Sequence, residues 1–239
     1  MPFRIESLLP GGAIVVILDL LLLWQMPRIV QWHSRALESF LRLAEVPWQA
    51  GREMVLWPGL SVILLRTSYL DYHDYPLVPG YIAGASLGLF FLGYRRWPAP
   101  LKPLLFLLPA ALLLTLVYLK TVSASVPYTP EDFCAIWYRG EVYLWLLLPV
   151  IFAASFFILN VPFLLKIGWL SLLMFYSFLW SAVRLALALA TFYYFGSIWM
   201  PFFYFAFGFL ADFLYIVAFY SLAMDGAAGF LAKQQEAWK

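Results

Sequence analysis

The chain carries a single cysteine, Cys134, in the stretch EDFCAIWYRG from Glu131 to Gly140. A thiolate is a nucleophile and a thiol is not, so the surroundings of that sulfur decide whether it can take part in acyl transfer. Thr129, Pro130 and Asp132 have the spacing of a helix start: threonine as N-cap, proline in the first helical position, an acid three residues after the cap. Cys134 is then expected about one turn into a helix, where free backbone amides and the positive end of the helix dipole favour a thiolate. Arg139 adds a cation nearby, whereas Glu131 and Asp132 act in the opposite sense. The alternative is a small hydrophobic residue filling a helix contact.

A second group stands in SFLWSAVRLALALATFYYFG, where Arg184 lies deep in an apolar run. An arginine there costs about 2.5–3.5 kcal/mol on insertion scales, so it must face protein, water or a partner charge. The turn expected at Gly196–Ser197 folds the last two helices antiparallel and carries Asp212 to the depth of Arg184. Those two either simply neutralise each other or form a pair that fixes an arginine which also binds substrate. Asp19 is another candidate partner, and Tyr204 follows the same turn. Cys134, Arg184 and Tyr204 are thus expected to converge on one pocket, with the thiol forming a thioester and the arginine holding a carboxylate or an oxyanion.

The remaining polar signals are weaker. His73, in the run DYHDY, is read as part of an interfacial cap, and the only other histidine, His33, is remote in sequence. With no cysteine pair and no second histidine at ligand spacing, neither a metal centre nor a cofactor is expected. Gly80, Gly84 and Gly88 form a small-residue series read as a close helix contact. The abundant aromatic residues are assigned to interfacial belts and packing.

Apolar helices must position these groups. Of the 239 residues, 64% are hydrophobic and 12% charged, which excludes a soluble globular class. Fifteen Lys+Arg against thirteen Asp+Glu leave no basic surface for nucleic acid. The expectation is an all-α integral membrane protein, a single polytopic domain of six to seven transmembrane helices with membrane lipid around it. Spans are assigned to Leu8–Met26, Leu77–Tyr94, Pro103–Val122, Glu141–Asn160, Gly168–Phe195 and Trp199–Met224. The first run carries Asp19 and lacks a small-residue cleavage site, so it is read as a retained helix. Met54–Leu70, with Pro58–Gly59 and Arg66, is a weaker segment expected to span, re-enter or lie at the interface. Arg28 to Glu53 alternates charge with Val30, Trp32, Leu37, Phe40, Leu41 and Leu43, the pattern of an amphipathic helix at the headgroups. Arg95, Arg96 and Lys102 mark their loop as cytoplasmic, which puts the loop before Cys134 and the Gly196 turn outside.

Two blocks resemble a known family. DYHDYPLVPGYIAGASLGLFFLGYRR, Asp71–Arg96, is similar to the early block of exosortases and archaeosortases, where Asp-Tyr-Ser-His-Gly-Phe-Leu-Val-Pro leads into an apolar helix ending in arginines. SAVRLALALATFYYFGSIWMPFFYFAFGF resembles their late block, in which an arginine heads an apolar run and a Phe-Phe-His element follows about twenty residues later. Cys134 lies between the two, where the family has Cys-Ser-Gly after an external loop. The likeness covers about Asp71 to Met224, so residues 70–224 form the exosortase-like core. It implies a multi-pass cysteine transpeptidase of the bacterial or archaeal cytoplasmic membrane with its site facing outside. Such an enzyme cuts a C-terminal sorting signal (a short motif, a spanning helix and a basic tail) from exported proteins. Cys134 would be the nucleophile and Arg184 would position the substrate or stabilise the oxyanion; apart from the resemblance, Arg139, Asp212 and His73 are the candidates for binding substrate or pairing charge. The chain departs from the family in having Cys134-Ala135-Ile136 for Cys-Ser-Gly and Tyr204 for the histidine, and a phenol is a poor base at neutral pH. His73 stands one residue before the position of the early-block histidine.

Two other classes fit the same residues. One is a catalytically inactive scaffold that binds partner membrane subunits through its aromatic surface. The other is a small transporter with an Arg184–Asp212 relay, against which stands the scarcity of polar residues along a continuous path.

Overall fold

The first helix, α1 (Leu8–Leu43), runs unbroken through the apolar segment and on through the charged one, with Pro27 inside it. In this computed structural model, residues 8–69, 77–94, 96, 98, 102–122, 128–157, 159 and 161–236 are described. The second half of α1 is therefore not a separate headgroup helix. Met26, Val30, His33, Leu37 and Leu41 recur at helical spacing and are all buried, on the side of α1 that meets two later helices, α4 (Pro130–Phe156) and α5 (Phe163–Phe195). Trp32 and Leu43, read from sequence as part of the membrane-facing stripe, lie outside this seam and are exposed.

Among its described residues, the weak segment Met54–Leu70 contains no helix. It falls in a two-stranded antiparallel hairpin, β1 (Trp48–Trp57) and β2 (Leu60–Thr67). Pro58 and Gly59 make the turn, Gly59 at φ 88°, which suits the third position of a type II turn after proline. Along β2 the side chains alternate, Leu60, Val62 and Leu64 buried and Ser61 and Ile63 exposed, so one face of the hairpin rests on α4 and α1. The register slips by one residue between Ala50 and Glu53, a bulge that bends β1 at Gly51–Arg52.

Two apolar helices follow, α2 (Val78–Tyr94) and α3 (Lys102–Thr121), packed on each other. Ala83, Leu112 and Ile198 form a small cluster that ties this pair to the turn after α5. Among the described residues, the series Gly80, Gly84, Gly88 makes no close helix contact. A Cβ added at any of the three would meet nothing within 4 Å, so the stripe points away from described protein.

α4 begins as its sequence specifies. Thr129 accepts from the Asp132 amide, the Asp132 carboxylate accepts from the Thr129 amide, and Pro130 opens the helix. The segment from Thr129 and the span assigned from Glu141 are one helix. α5 ends at Gly196, whose φ of 83° turns the chain. A 3-10 turn (Ser197–Trp199) and the short α6 (Met200–Phe202) lead into a π-helical stretch, Phe203–Leu210, and then α7 (Ala211–Glu236).

Among the described residues, four helical segments are long and apolar enough to cross a membrane: Val15–Leu43, Pro130–Phe156, Phe163–Phe195 and Ser197–Phe230. The chain is thus a mostly helical membrane protein with a small β-hairpin at one end. That end is shared. The Tyr194 hydroxyl near the end of α5 donates to the Ala44 carbonyl just after α1, at 3.0 Å, and the hairpin sits on the first residues of α4. α1 and α5 run toward the hairpin end, and α4 runs away from it.

Candidate functional site

The buried face of α4 carries Cys134, Tyr138, Glu141 and Trp145 at helical spacing. Each meets a different element.

Cys134 has no exposed surface. Its thiol donates to the Leu65 carbonyl of β2 at 3.7 Å, so the hairpin covers it directly. Among the described residues no basic side chain bonds the sulfur.

One turn further along, Tyr138 leads into a network between α1, α4 and α5. Its hydroxyl shares a 3.0 Å hydrogen bond with Ser34 and lies 3.2 Å from His33 Nδ1. His33 Nε2 lies 3.2 Å from Ser181 Oγ, which also accepts from Trp137 Nε1 at 3.2 Å. The imidazole is fully buried, with Tyr138, Trp145 and Phe178 edge-on around it at centroid distances of 5.2, 5.4 and 5.6 Å. Both ring nitrogens are engaged, so this histidine pins three helices together. Sequence reading set it on an interfacial helix and gave it no role. The signal that could have found it was its place in the Met26, Val30, Leu37, Leu41 stripe.

About two turns from Cys134, Glu141 meets Arg184. Arg184 Nη2 donates to Glu141 Oε1 at 2.8 Å and also to Asp212 Oδ1. Nη1 donates to the Gly208 carbonyl at 3.1 Å and to the Phe207 carbonyl. The guanidinium lies over the Trp137 ring, 5.1 Å from its centroid, a favourable cation–π geometry. The π-helical stretch has a physical role here: its wider turn interrupts the regular ladder and presents two carbonyls to the arginine. Arg184 and Glu141 are buried, and a charge in this setting is tolerable because opposite charge and acceptors surround it. Among the described residues Arg184 Nε and Glu141 Oε2 have no partner, which leaves one donor and one acceptor available inside the cluster.

The pairing of Arg184 with Asp212 is therefore present, but Glu141 joins it and Asp19 does not, its Oδ1 having no partner among the described residues. Glu141 went unnoticed because it opened an assigned span, the usual place for a solvated acid. Cys134 and Arg184 share the protein interior in the half of the bundle toward the hairpin, without touching. Rising 1.5 Å per residue, the helix from Cys134 to Glu141 separates them by about 10 Å along its axis. Tyr204 is 45% exposed on the π-helical stretch, with Phe205 as its ring neighbour, and joins neither group. Arg139 is exposed. His73 lies outside the described residues, and no cluster of three metal-ligating side chains occurs among those described. Comparison with family models, curated proteins and solved structures finds no match.

Proposed function

We propose that the chain is a membrane cysteine transpeptidase of exosortase type, acting on exported proteins that carry a C-terminal spanning signal. The observation that carries this reading is the common burial of Cys134, His33 and Arg184 in one half of a helical membrane bundle; a hydrogen-bonded chain runs from Tyr138 through His33 and Ser181 to Trp137, whose ring lies under the Arg184 guanidinium, and the Cys134 thiol stands outside it. In the reaction the Cys134 thiolate attacks the carbonyl carbon of the scissile peptide, the C–N bond breaks, and the leaving amine takes up the proton that the thiol lost. The acyl group stays on sulfur as a thioester until an acceptor nucleophile attacks and restores the thiol. Arg184, on α5, meets α4 at Glu141, about two turns beyond Cys134, too far to reach the attacked carbonyl. Its free Nε–H suits a substrate carbonyl or carboxylate some residues from the cut, so it positions the signal helix.

On this reading α1 to α5 and α7 each cross the bilayer once. The cations of the α2–α3 loop then put both termini in the cytoplasm and the hairpin end outside, in a bacterial or archaeal cytoplasmic membrane. The test is to express the chain with exported proteins bearing a short motif, a spanning helix and a basic tail, and to follow their C-termini by mass spectrometry. Wild type removes the tail and Cys134→Ala does not. Equal processing by both overturns the proposal.

A second reading is favoured by one observation: the thiol is bonded to a backbone carbonyl and Arg184 already holds two carboxylates. Such a closed interior suits a catalytically inactive scaffold for partner membrane subunits. Under it Cys134→Ala changes packing alone, and the chain co-purifies with its partners as wild type does.

A further inference from the structure

We propose that the β-hairpin is a latched cover over Cys134, held shut by Arg52 on the acids Glu131 and Asp132. The proposal rests on the reading of Cys134 as a nucleophile, and it names what controls access to it.

Polar contacts tie the hairpin to the start of α4, among them Arg52 Nε at 3.8 Å from Glu131 Oε1. The Arg52 backbone amide donates to Glu131 Oε1 at 2.6 Å, and Arg52 Nη2 donates to Asp132 Oδ1 at 2.5 Å. The thiol itself donates to the Leu65 carbonyl on the other strand. The bulge at Gly51–Arg52 is what aims both the amide and the guanidinium at α4, since an even ladder would keep that amide in the strand's own register. Gly51 permits the approach: a Cβ there would lie 2.7 Å from Glu131 Oε1 and 3.1 Å from the Leu64 carbonyl.

The two halves of this arrangement differ in exposure. The Arg52 side chain is 60% exposed and that of Asp132 33%, while Cys134 is fully buried. An ion pair in water is weak and screened by salt, so it is suited to release. A thiol that no reagent can reach is the corresponding closed state. Asp132 also closes the capping box with Thr129, so its carboxylate is already fixed in place when Arg52 arrives. The acids that weaken the case for a thiolate in the sequence thus have a structural use, as the catch of the cover.

Because Cys134 is the only cysteine, thiol labelling reports the cover without ambiguity. The full-length protein in detergent micelles is reacted with a maleimide and the rate followed by mass. Arg52→Ala is expected to label about two- to fivefold faster than wild type. The conservative Arg52→Lys, which keeps the cation and leaves the Asp132 cap intact, is expected to label near the wild-type rate. Raising sodium chloride from about 0.05 to 1 M accelerates wild type and leaves Arg52→Ala unchanged. An Arg52→Ala rate equal to wild type, an Arg52→Lys rate as fast as that of Arg52→Ala, or a salt effect that survives Arg52→Ala each overturn the latch. A melting temperature recorded on each variant separates release of the cover from general unfolding, which would expose the thiol regardless of charge. The labelling result is independent of catalysis. If Cys134→Ala leaves tail processing intact, the transpeptidase reading fails whatever the labelling shows, and if labelling is unaffected by Arg52 while Cys134→Ala blocks processing, only the latch fails.

Discussion

Glu141 and Arg184 face each other across the α4–α5 contact with 2.8 Å between Oε1 and Nη2, both buried. Asp212 from α7 completes the arrangement, so one fully buried guanidinium holds three helices. Removing the cation leaves two carboxylates facing each other in the interior. Arg184→Met is therefore expected to destabilise the protein by about 3–5 kcal/mol, read as a fall in melting temperature or in the detergent concentration of unfolding. The triple change Arg184→Met, Glu141→Gln, Asp212→Asn should recover most of that loss. A single Arg184→Met that melts like wild type would show that the cluster does not hold these helices together.

His33 gives a second expectation, of smaller size. His33→Phe keeps the ring but removes its bonds to Tyr138 and Ser181. Interhelical hydrogen bonds in membrane proteins average about 0.6 kcal/mol each, with a maximum near 1.7, so the loss should be about 1–2 kcal/mol. Trp32→Ala, on the exposed side of the same helix, should leave the melting temperature nearly unchanged. Equal effects at the two positions would mean that α1 does not pack as described.

The hairpin turn supplies a third. Gly59 adopts φ 88°, which a side chain with a Cβ resists, so Gly59→Ala should cost the hairpin about 1 kcal/mol. Hydrogen exchange is the direct readout, with faster exchange of the β2 amides and unchanged exchange in α5. Gly59→Asn should cost less, because asparagine tolerates the left-handed region. No change in β2 exchange on Gly59→Ala would rule out the turn as drawn.

How far the sequence reaches is clearest residue by residue. Thr129, Pro130 and Asp132 announced the start of α4 because a capping box is local, satisfied by atoms three residues apart. Arg184 and Asp212 could be paired because one turn at Gly196 sets the depth of both. The hairpin was missed although Pro58–Gly59 between VLW and LSVILL is a turn signal flanked by strand-forming residues. In so apolar a chain that run also reads as membrane segment, and hydropathy alone does not distinguish a strand buried on one face from a short span. The α1 stripe had the same ambiguity, since an apolar face looks alike whether it meets lipid or another helix. What no local pattern could supply was the identity of the cross-helix partners. His33 with Ser181 and Glu141 with Arg184 are contacts between residues far apart in the chain, fixed by packing. The π-helical stretch was hidden for a related reason, because its carbonyls are drawn out by an arginine on another helix.

The most direct test of the central claim is intact mass spectrometry of the chain incubated with an exported protein bearing a C-terminal spanning signal and a basic tail. The account expects an acyl adduct on the peptide containing Cys134, released by hydroxylamine and missing in Cys134→Ala. Removal of the tail with no adduct at that sulfur, or by a chain that lacks it, would contradict the account.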